Sequence, residues 1–378
     1  MKYIAVSVQG LEQIAIDEIN SLIKAKTEII HPGRILVEIE ENSRKQPGRL
    51  GERRATTIQT LIYNTRSLIY IYQFIDQAKI KTLENIKALA KKIDFKALIK
   101  ETFLVRCERN GTHSFNSLDV EKGIGTIIHE KYKIPVNLNN PITTIYADIN
   151  EENCIIGIDL VGYKLSKRDY RIKIISSSIN ACVAFSLIKF ANWKEKESLL
   201  DPFTKTGEIC IEAAMFALNV SPQKHLKDKL LITKLKKCNF KDKEKTAKVN
   251  LTAADEIMSN IRNTEINSKL AGVNKSLKFS RLETKWLDSK FKKNSIDKII
   301  TFPPQISQTH TAESIEQIYH DLFYNAEYIL KKSGSIVLLM NRNLELLNRY
   351  STEFNFKITK TLEFEHGNQK YVFIELKK

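Results

Sequence analysis

The sequence predicts an α/β fold in which two α+β units precede a C-terminal half built as a doubly wound, mostly parallel sheet. Three observations carry this expectation. From residue 179 onward, β-type runs alternate with segments of helical apolar spacing, as in parallel sheets covered by helices. Residues 201–214, Asp-Pro-Phe-Thr-Lys-Thr-Gly-Glu-Ile-Cys-Ile-Glu-Ala-Ala, read as a strand end, a tight loop and a helix start, where such sheets hold their ligands. The chain closes on two consecutive strands, 357–364 and 370–376, turned at His366-Gly367-Asn368, so the last strand must run antiparallel to its neighbour.

The elements follow in order. Tyr3-Ile-Ala-Val-Ser-Val alternates toward a turn at Gly10; Leu11, Ile14, Ala15 and Ile19 share one helical stripe; Arg34-Ile-Leu-Val-Glu-Ile returns as a strand. Residues 41–56 are polar, with Pro47, Gly48 and Gly51, and read as a loop or disordered insertion. Helical spacing over 64–77, 83–90 and 95–99 precedes a strand over 102–109, a helix over 118–132, and a hairpin of strands 143–149 and 153–160. Basic residues then cluster in Tyr163-Lys-Leu-Ser-Lys-Arg-Asp-Tyr-Arg-Ile-Lys173, which marks a boundary. Beyond it come a helix over 179–191 and strands at 198–203, 248–252, 276–282, 297–302 and 335–340. Residues 224–248 carry about ten lysines and few large apolar side chains, and read as a solvated helix plus loop. The expected division is 1–62, 63–162, a basic linker 163–178, and 179–378.

A chain of 378 residues can bury two or three cores. Its 42% apolar and 28% charged content is ordinary, but its net charge of +16 points to a polyanionic partner such as RNA, or to a lysine-rich proteome. With no apolar stretch of about 18 residues and with Glu12 and Asp17 early, neither a membrane span nor a signal peptide is indicated, and a cytoplasmic protein is expected. Cys107, Cys154, Cys182, Cys210 and Cys238 are scattered without zinc-ligand spacing, so small buried hydrophobes are expected, with no disulfide framework or metal. There is no His-Glu-x-x-His motif, and Lys205-Thr206-Gly207 lacks the spacing of a phosphate loop.

One segment suits RNA. Residues 106–117 supply Arg106, Arg109, His113 and Phe115 around a turn at Gly111; guanidinium groups grip phosphate, and His or Phe can stack on an unpaired base. Phe115 reads equally well as core, and His113 as a partner of the backbone.

The run of Phe103, Val105, Arg109, Gly111, His113, Phe115 and Ser117 resembles the THUMP domain of RNA-modifying enzymes, as do Asn64-Thr-Arg66 and Gly157-Ile-Asp159. Downstream, Tyr163 to Tyr170, the Asp-Pro loop with Glu212-Ala-Ala, and the Pro-Pro motif after the fourth strand resemble the THUMP-linked class I methyltransferases of archaea and bacteria that methylate the exocyclic amine of guanosine in tRNA. The resemblance covers nearly the whole chain. It implies a ferredoxin-like N-terminal domain and a THUMP domain that bind structured RNA, notably tRNA, followed by a Rossmann-type domain for S-adenosylmethionine. Lys167, Arg168 and Arg171 in the linker would extend the RNA-facing surface.

Carried over position by position, the resemblance places Asp201 beside the methionyl part of the cofactor, Asp255 on the ribose hydroxyls and Glu283 near the adenine edge. Each carboxylate is also chemically suited to cap a helix or to sit solvated in a loop. The run Asn267 to Gly272 matches the family's helix end. Two departures stand out. Where the family has Cys-Gly-Ser-Gly-Thr, this chain has Thr204-Lys205-Thr206-Gly207-Glu208. If position 205 needs positive φ, a lysine costs about 1 kcal/mol or more; if it is a close-approach site, the lysine stem takes ligand volume. The catalytic motif, Asn or Asp followed by Pro-Pro and an aromatic, is here Phe302-Pro303-Pro304-Gln305. Its amide and a backbone carbonyl would accept hydrogen bonds from the target amine while the ring stacks on the base. Phe302 accepts nothing and Gln305 stacks poorly, a change worth on the order of a hundredfold in rate or more. Two readings stand: a tRNA guanine-N2 methyltransferase with divergent motifs, and an RNA-binding pseudoenzyme serving as scaffold or protein partner.

Overall fold

The structure is a computed structural model that describes residues 1–40, 57–305, 311–367 and 369–378. The polar stretch read as a loop or insertion over 41–56, and Asn368 of the closing turn, lie outside the described residues.

The N-terminal half begins with β1 (Lys2–Val6), α1 (Glu12–Leu22), β2 (Lys26–His31) and β3 (Arg34–Glu38). Strand β2 escapes the sequence pattern because it is an edge strand, partly exposed on both faces, with no clean alternation. A helix α2 spans 57–64, followed by β4 (Tyr70–Lys79). This corrects the helix expected over 64–77. Tyr70, Ile71 and Tyr72 are buried in succession, Ile71 in the helix-covered core and the two tyrosines in the core of the opposite face. A strand covered on both sides presents a continuous apolar run that periodicity cannot tell from a buried helix. Then come α3 (Leu83–Lys92), β5 (Phe103–Asn110), α4 (Ser117–Tyr132), β6 (Thr143–Asn150) and β7 (Asn153–Asp159). The seven strands form one sheet in the order β2-β3-β1-β4-β7-β6-β5, continuous across residues 62 and 63 because β1 pairs antiparallel with β4.

The C-terminal half comprises α5 (Ala181–Phe190), β8 (Ser198–Asp201), α6 (Glu208–Ala217), a short α7 (Ile232–Leu235), β9 (Asn250–Asp255), α8 (Met258–Leu270), β10 (Leu277–Arg281), α9 (Leu287–Lys290), β11 (Ile296–Thr301), α10 (Ala312–Ile329), β12 (Leu330–Met340), α11 (Leu344–Glu353), β13 (Lys357–His366) and β14 (Gln369–Lys377). Its sheet runs β10-β9-β8-β11-β12-β14-β13. Strands β8 to β12 are parallel; β14 runs antiparallel to its neighbour β13, as the closing hairpin predicts, and it inserts between β12 and β13, a placement the hairpin alone does not indicate. From β8 the chain winds outward to β9 and β10, then crosses to β11 on the other side. The carboxyl ends of β8 and β11 therefore form the switch point, and the loops after them, 202–207 and 302–305, face each other across the crevice where such folds bind ligands.

Two joints between the halves differ from expectation. Residues 163–178 are docked: Leu165 donates its N–H to the Ile69 carbonyl at 2.8 Å, and Leu165, Arg168 and Tyr170 are buried. Residues 224–248 are not simply a solvated helix plus loop, because Leu230 and Ile232 are fully buried in the N-terminal core and Cys238 and Phe240 pack against it. A strap from the C-terminal half thus closes the core of the N-terminal half. Five apolar side chains, Leu235 included, suffice for this among about ten lysines, and bulk composition hides them. Cys154, Cys182 and Cys210 are buried, while Cys107 and Cys238 are half-buried. Among the described residues, no helix is long and apolar enough to cross a membrane.

Candidate active site at the switch point

The loop after β8 is held by its own backbone and by carboxylates at two strand ends. Asp201, the last residue of β8, is 1% exposed; its Oδ1 accepts a hydrogen bond from Thr301 Oγ1 at 2.6 Å, tying the end of β8 to the end of β11. Burial pushes its carboxyl up to about 7, against the pull of the Thr301 hydroxyl and the Lys205 ammonium. Asp255, the last residue of β9, accepts from the Lys205 backbone N–H at 3.0 Å on Oδ2, and from the Ile257 N–H and Asn260 Nδ2 on Oδ1. It therefore shapes the loop and holds the entry into α8. Gly207 opens α6 at φ +89°, where an added Cβ would lie 2.5 Å from Thr264 Cγ2, so only glycine is accommodated.

Lys205 meets both conditions that make a side chain costly there. Its φ is +54°, in the left-handed region. Its side chain runs into the crevice, where the ammonium lies 3.7 Å from the centroid of the Phe302 ring. The two departures from the family pattern are thus one contact, a cation–π pair that spans the switch point. Desolvation lowers the Lys205 ammonium to about 8, opposed by Asp201, Asp255 and Glu208. Between Asp201, Thr204, Lys205, Glu208 and Phe302 the remaining cavity is about 10 Å³, the volume of one water at most. Thr204 Oγ1 is buried there without a hydrogen-bond partner among the described residues. The carboxylates and this hydroxyl suit a polar ligand, but the methionyl end of S-adenosylmethionine does not fit until the lysine moves.

The motif after β11 is closed upon itself. Gln305 Nε2 donates to the Pro303 carbonyl at 3.0 Å, so the backbone acceptor that sequence reasoning left available is engaged by the motif's own last residue. Pro303 is buried, while Pro304 and Gln305 are partly exposed. Glu283 stands exposed beyond β10 and pairs with Lys285 at 2.6 Å.

The RNA-directed residues divide. Arg106 projects from β5 with a side-chain exposure of 56%, and Lys167 is exposed. Arg109 Nη1 bonds to the Gly111 carbonyl and lies 2.8 Å from His113 Nδ1, while His113 Nε2 meets the Glu151 carbonyl; the pair braces the turn against the β6–β7 hairpin. Phe115 is 7% exposed and belongs to the core, which corrects its assignment as a base-stacking ring. Arg168 is corrected too. Its guanidinium is fully buried, donating to Glu212 Oε1 at 2.9 Å and to the Leu165 and Arg66 carbonyls, so it cannot reach a phosphate. Arg171 is largely turned inward onto Glu208 at 3.1 Å and the Ile179 carbonyl.

The network around Glu212 escaped the sequence reading. This buried carboxylate on α6 also accepts from Tyr170 Oη at 3.0 Å, with Arg66 Nη1 at 3.9 Å, and Arg66 itself donates to the Met215 and Val220 carbonyls. Asn267 of α8 bonds both to the Lys173 backbone and to the Thr206 carbonyl, pinning the 163–178 segment to the loop after β8. Its place in the run matching the family's helix end was the available signal.

Comparison with known proteins bears on this geometry. Residues 168–371 match the RMKL-like methyltransferase domain, and residues 81–159 match the THUMP domain. The chain is 26% identical over 349 residues to a tRNA (guanine(6)-N2)-methyltransferase of Archaeoglobus fulgidus, covering 90% of this chain and 83% of that one. It is 27% identical over 364 residues to the protein of that name in Methanocaldococcus jannaschii, covering 90% of each. Among solved structures, a possible methylase from Clostridium difficile 630 superposes with a TM-score of 0.80 at 22% identity, covering 100% of this chain and 97% of that one, which establishes the shared fold.

Proposed function

The chain belongs to the RMKL-like methyltransferase domain family, and from that premise we propose that it is a tRNA-binding, S-adenosylmethionine-dependent guanine-N2 methyltransferase. The carrying observation is that its similarity to two tRNA (guanine(6)-N2)-methyltransferases spans 90% of the chain, so that RNA-binding and Rossmann-type parts are retained together. In this reading residues 1–162 grip the RNA, residues 179–378 present the reacting base, and 163–178 is the joint between them. The sulfonium cofactor supplies an electrophilic methyl group when bound. In the same reading Asp255 at the end of β9 serves the ribose, Asp201 the methionyl end, and Glu283 the adenine rim. We place the protein in the cytoplasm.

The test is incorporation of radiolabelled methyl into bulk tRNA, with digestion to nucleosides to locate it. N2-methylguanosine that disappears with Asp255→Ala supports the reading; no incorporation at saturating cofactor overturns it. The Lys205–Phe302 contact favours a second reading, in which the crevice is permanently closed and the protein serves other proteins as an RNA-binding scaffold. Absence of saturable cofactor binding together with tight tRNA binding would select it.

Under either reading the net charge of +16 predicts tRNA binding that weakens steeply with salt, by counterion release. Arg106→Glu with Lys167→Glu is expected to weaken binding roughly tenfold at low salt and to flatten the salt slope by about two charges' worth. Gel shifts across a salt series read both effects, and an unchanged slope would remove these two side chains from the interface.

A further inference from the structure

Resting on the guanine-N2 reading, we infer that Asn341 supplies the hydrogen-bond acceptor for the exocyclic amine of a guanine base, the task that Phe302 in its motif cannot perform.

The topology places it there. Strands β11 and β12 are parallel neighbours with Thr301 opposite Leu338, so the segments that leave their carboxyl ends run side by side, Phe302 on one and Asn341 on the other. Both line a cavity of about 230 Å³, walled on the far side by the closing hairpin with Tyr371 and His366 and on the near side by Ser177. Asn341 and Tyr371 also line an adjoining cavity of about 400 Å³, which leads toward Gly10. The crevice that Lys205 closes on the donor side is therefore open on the acceptor side of Phe302.

The chemistry of the lining fits a base. Phe364 and Tyr371 stack on one another with ring centroids 5.5 Å apart and planes 17° from parallel, giving a flat aromatic wall, and Phe302 adds a second, partly exposed ring. Burial and the Lys164 charge lower the His366 imidazole, which keeps that edge of the cavity neutral. Asn341 carries the polar function. Its Nδ2 donates to Gln369 Oε1 at 3.2 Å, and Gln369 Oε1 also accepts from Tyr371 Oη at 2.9 Å, so the amide is held by its nitrogen. Its Oδ1 is buried and has no hydrogen-bond partner among the described residues. An acceptor left unsatisfied is unfavourable until a donor arrives, and the 2-amino group of guanine is such a donor once the Asn341 amide turns its oxygen toward the cavity. An amide oxygen there accepts from the amine as the family's asparagine would, reached from β12 instead of β11.

Binding of mononucleotides tests this without the cofactor. With guanosine 5′-monophosphate and inosine 5′-monophosphate, which lacks the 2-amino group, calorimetry is expected to show the wild type favouring guanosine roughly tenfold, and Asn341→Ala losing that preference while inosine affinity and melting temperature hold. Phe302→Asn placed on Asn341→Ala should restore it. Equal affinity of the wild type for the two nucleotides, absence of saturable guanosine binding, or an intact preference in Asn341→Ala would each overturn the inference. The two claims separate cleanly. Methyl transfer without guanosine preference leaves the proposed activity standing and removes Asn341 from it, whereas a preference lost in Asn341→Ala without methyl transfer keeps Asn341 as the base reader and removes the activity.

Discussion

Lys205→Gly is expected to tighten S-adenosylmethionine binding by roughly ten- to a hundredfold, measured by calorimetry on the purified protein. For the methionyl group to enter, the ammonium must leave the Phe302 ring, and a cation–π contact is worth about 0.5–1 kcal/mol when exposed and about 2 kcal/mol when desolvated, as it is here. If it does not leave the crevice, a like charge faces the sulfonium, and both the cavity of about 10 Å³ and the acidic lining are already taken. At about 1.4 kcal/mol per factor of ten, these terms give the stated range. Glycine also adopts the +54° φ of position 205 without the penalty of a Cβ. An unchanged affinity would show that the lysine swings out at no cost and that the altered loop is a tolerated variation.

The same residue makes cofactor binding pH-dependent, and the sign follows from the groups that face it. As pH rises through about 7, Asp201 loses its proton and gains attraction for a sulfonium; through about 8, Lys205 loses its proton and its repulsion. Asp255 and Glu208 complete the lining. Affinity of the wild type should therefore increase from pH 6.5 to 8.5, and Lys205→Gly should keep only the part that belongs to Asp201. For stability, a lysine whose folded value is lowered to about 8 holds fewer protons than in the unfolded chain between about 8 and 10.5. Its charged form is the costly one, so this unfavourable contribution is present below about 8 and is lifted as pH rises toward 10.5.

Much of this architecture is legible in the sequence, and what is not has identifiable causes. Most strands from 198 to 376 announce themselves as apolar runs set off by helical spacing, and the closing hairpin reveals that β14 runs antiparallel to β13, though not that it inserts beside β12. Strand β4 is misread because both its faces are covered, and β2 is missed because neither is fully covered. At the site, the cost of a side chain at 205 follows from the loop's need for positive φ, but not the direction of the ammonium, which depends on Phe302 nearly a hundred residues away. Arg168 and Arg171 look like surface charges for the same reason. Residue type is visible in a sequence, while the carboxylates that neutralise them, Glu212 and Glu208, are brought close only by folding.

That neutralisation supports the other large effect. Glu212→Ala is expected to destabilise the protein by about 3–5 kcal/mol, because it strands two fully buried guanidinium groups in the contact between the halves. Burial already pushes Arg66 down to about 10 even with Glu212 and Glu18 nearby, which measures how poorly the site solvates charge. Arg66 and Arg168 come from the first half and its joint, and Glu212 from the helix that follows the loop of Lys205, so the loss falls on the docking of one half against the other. A fall of about 6 °C or more in Tm is expected, with faster amide exchange through residues 204–214. Replacing charge by volume separates the pair's own contribution from the harm of breaking it. In Arg168→Met combined with Glu212→Leu the strongest buried ion pair is removed whole, and stability should recover by 1 kcal/mol or more relative to Glu212→Ala, roughly the coupling typical of contacting residues. If the double variant is no better than Glu212→Ala, Arg66 is the partner that governs the site, and Glu212→Ala combined with Arg66→Met should recover instead.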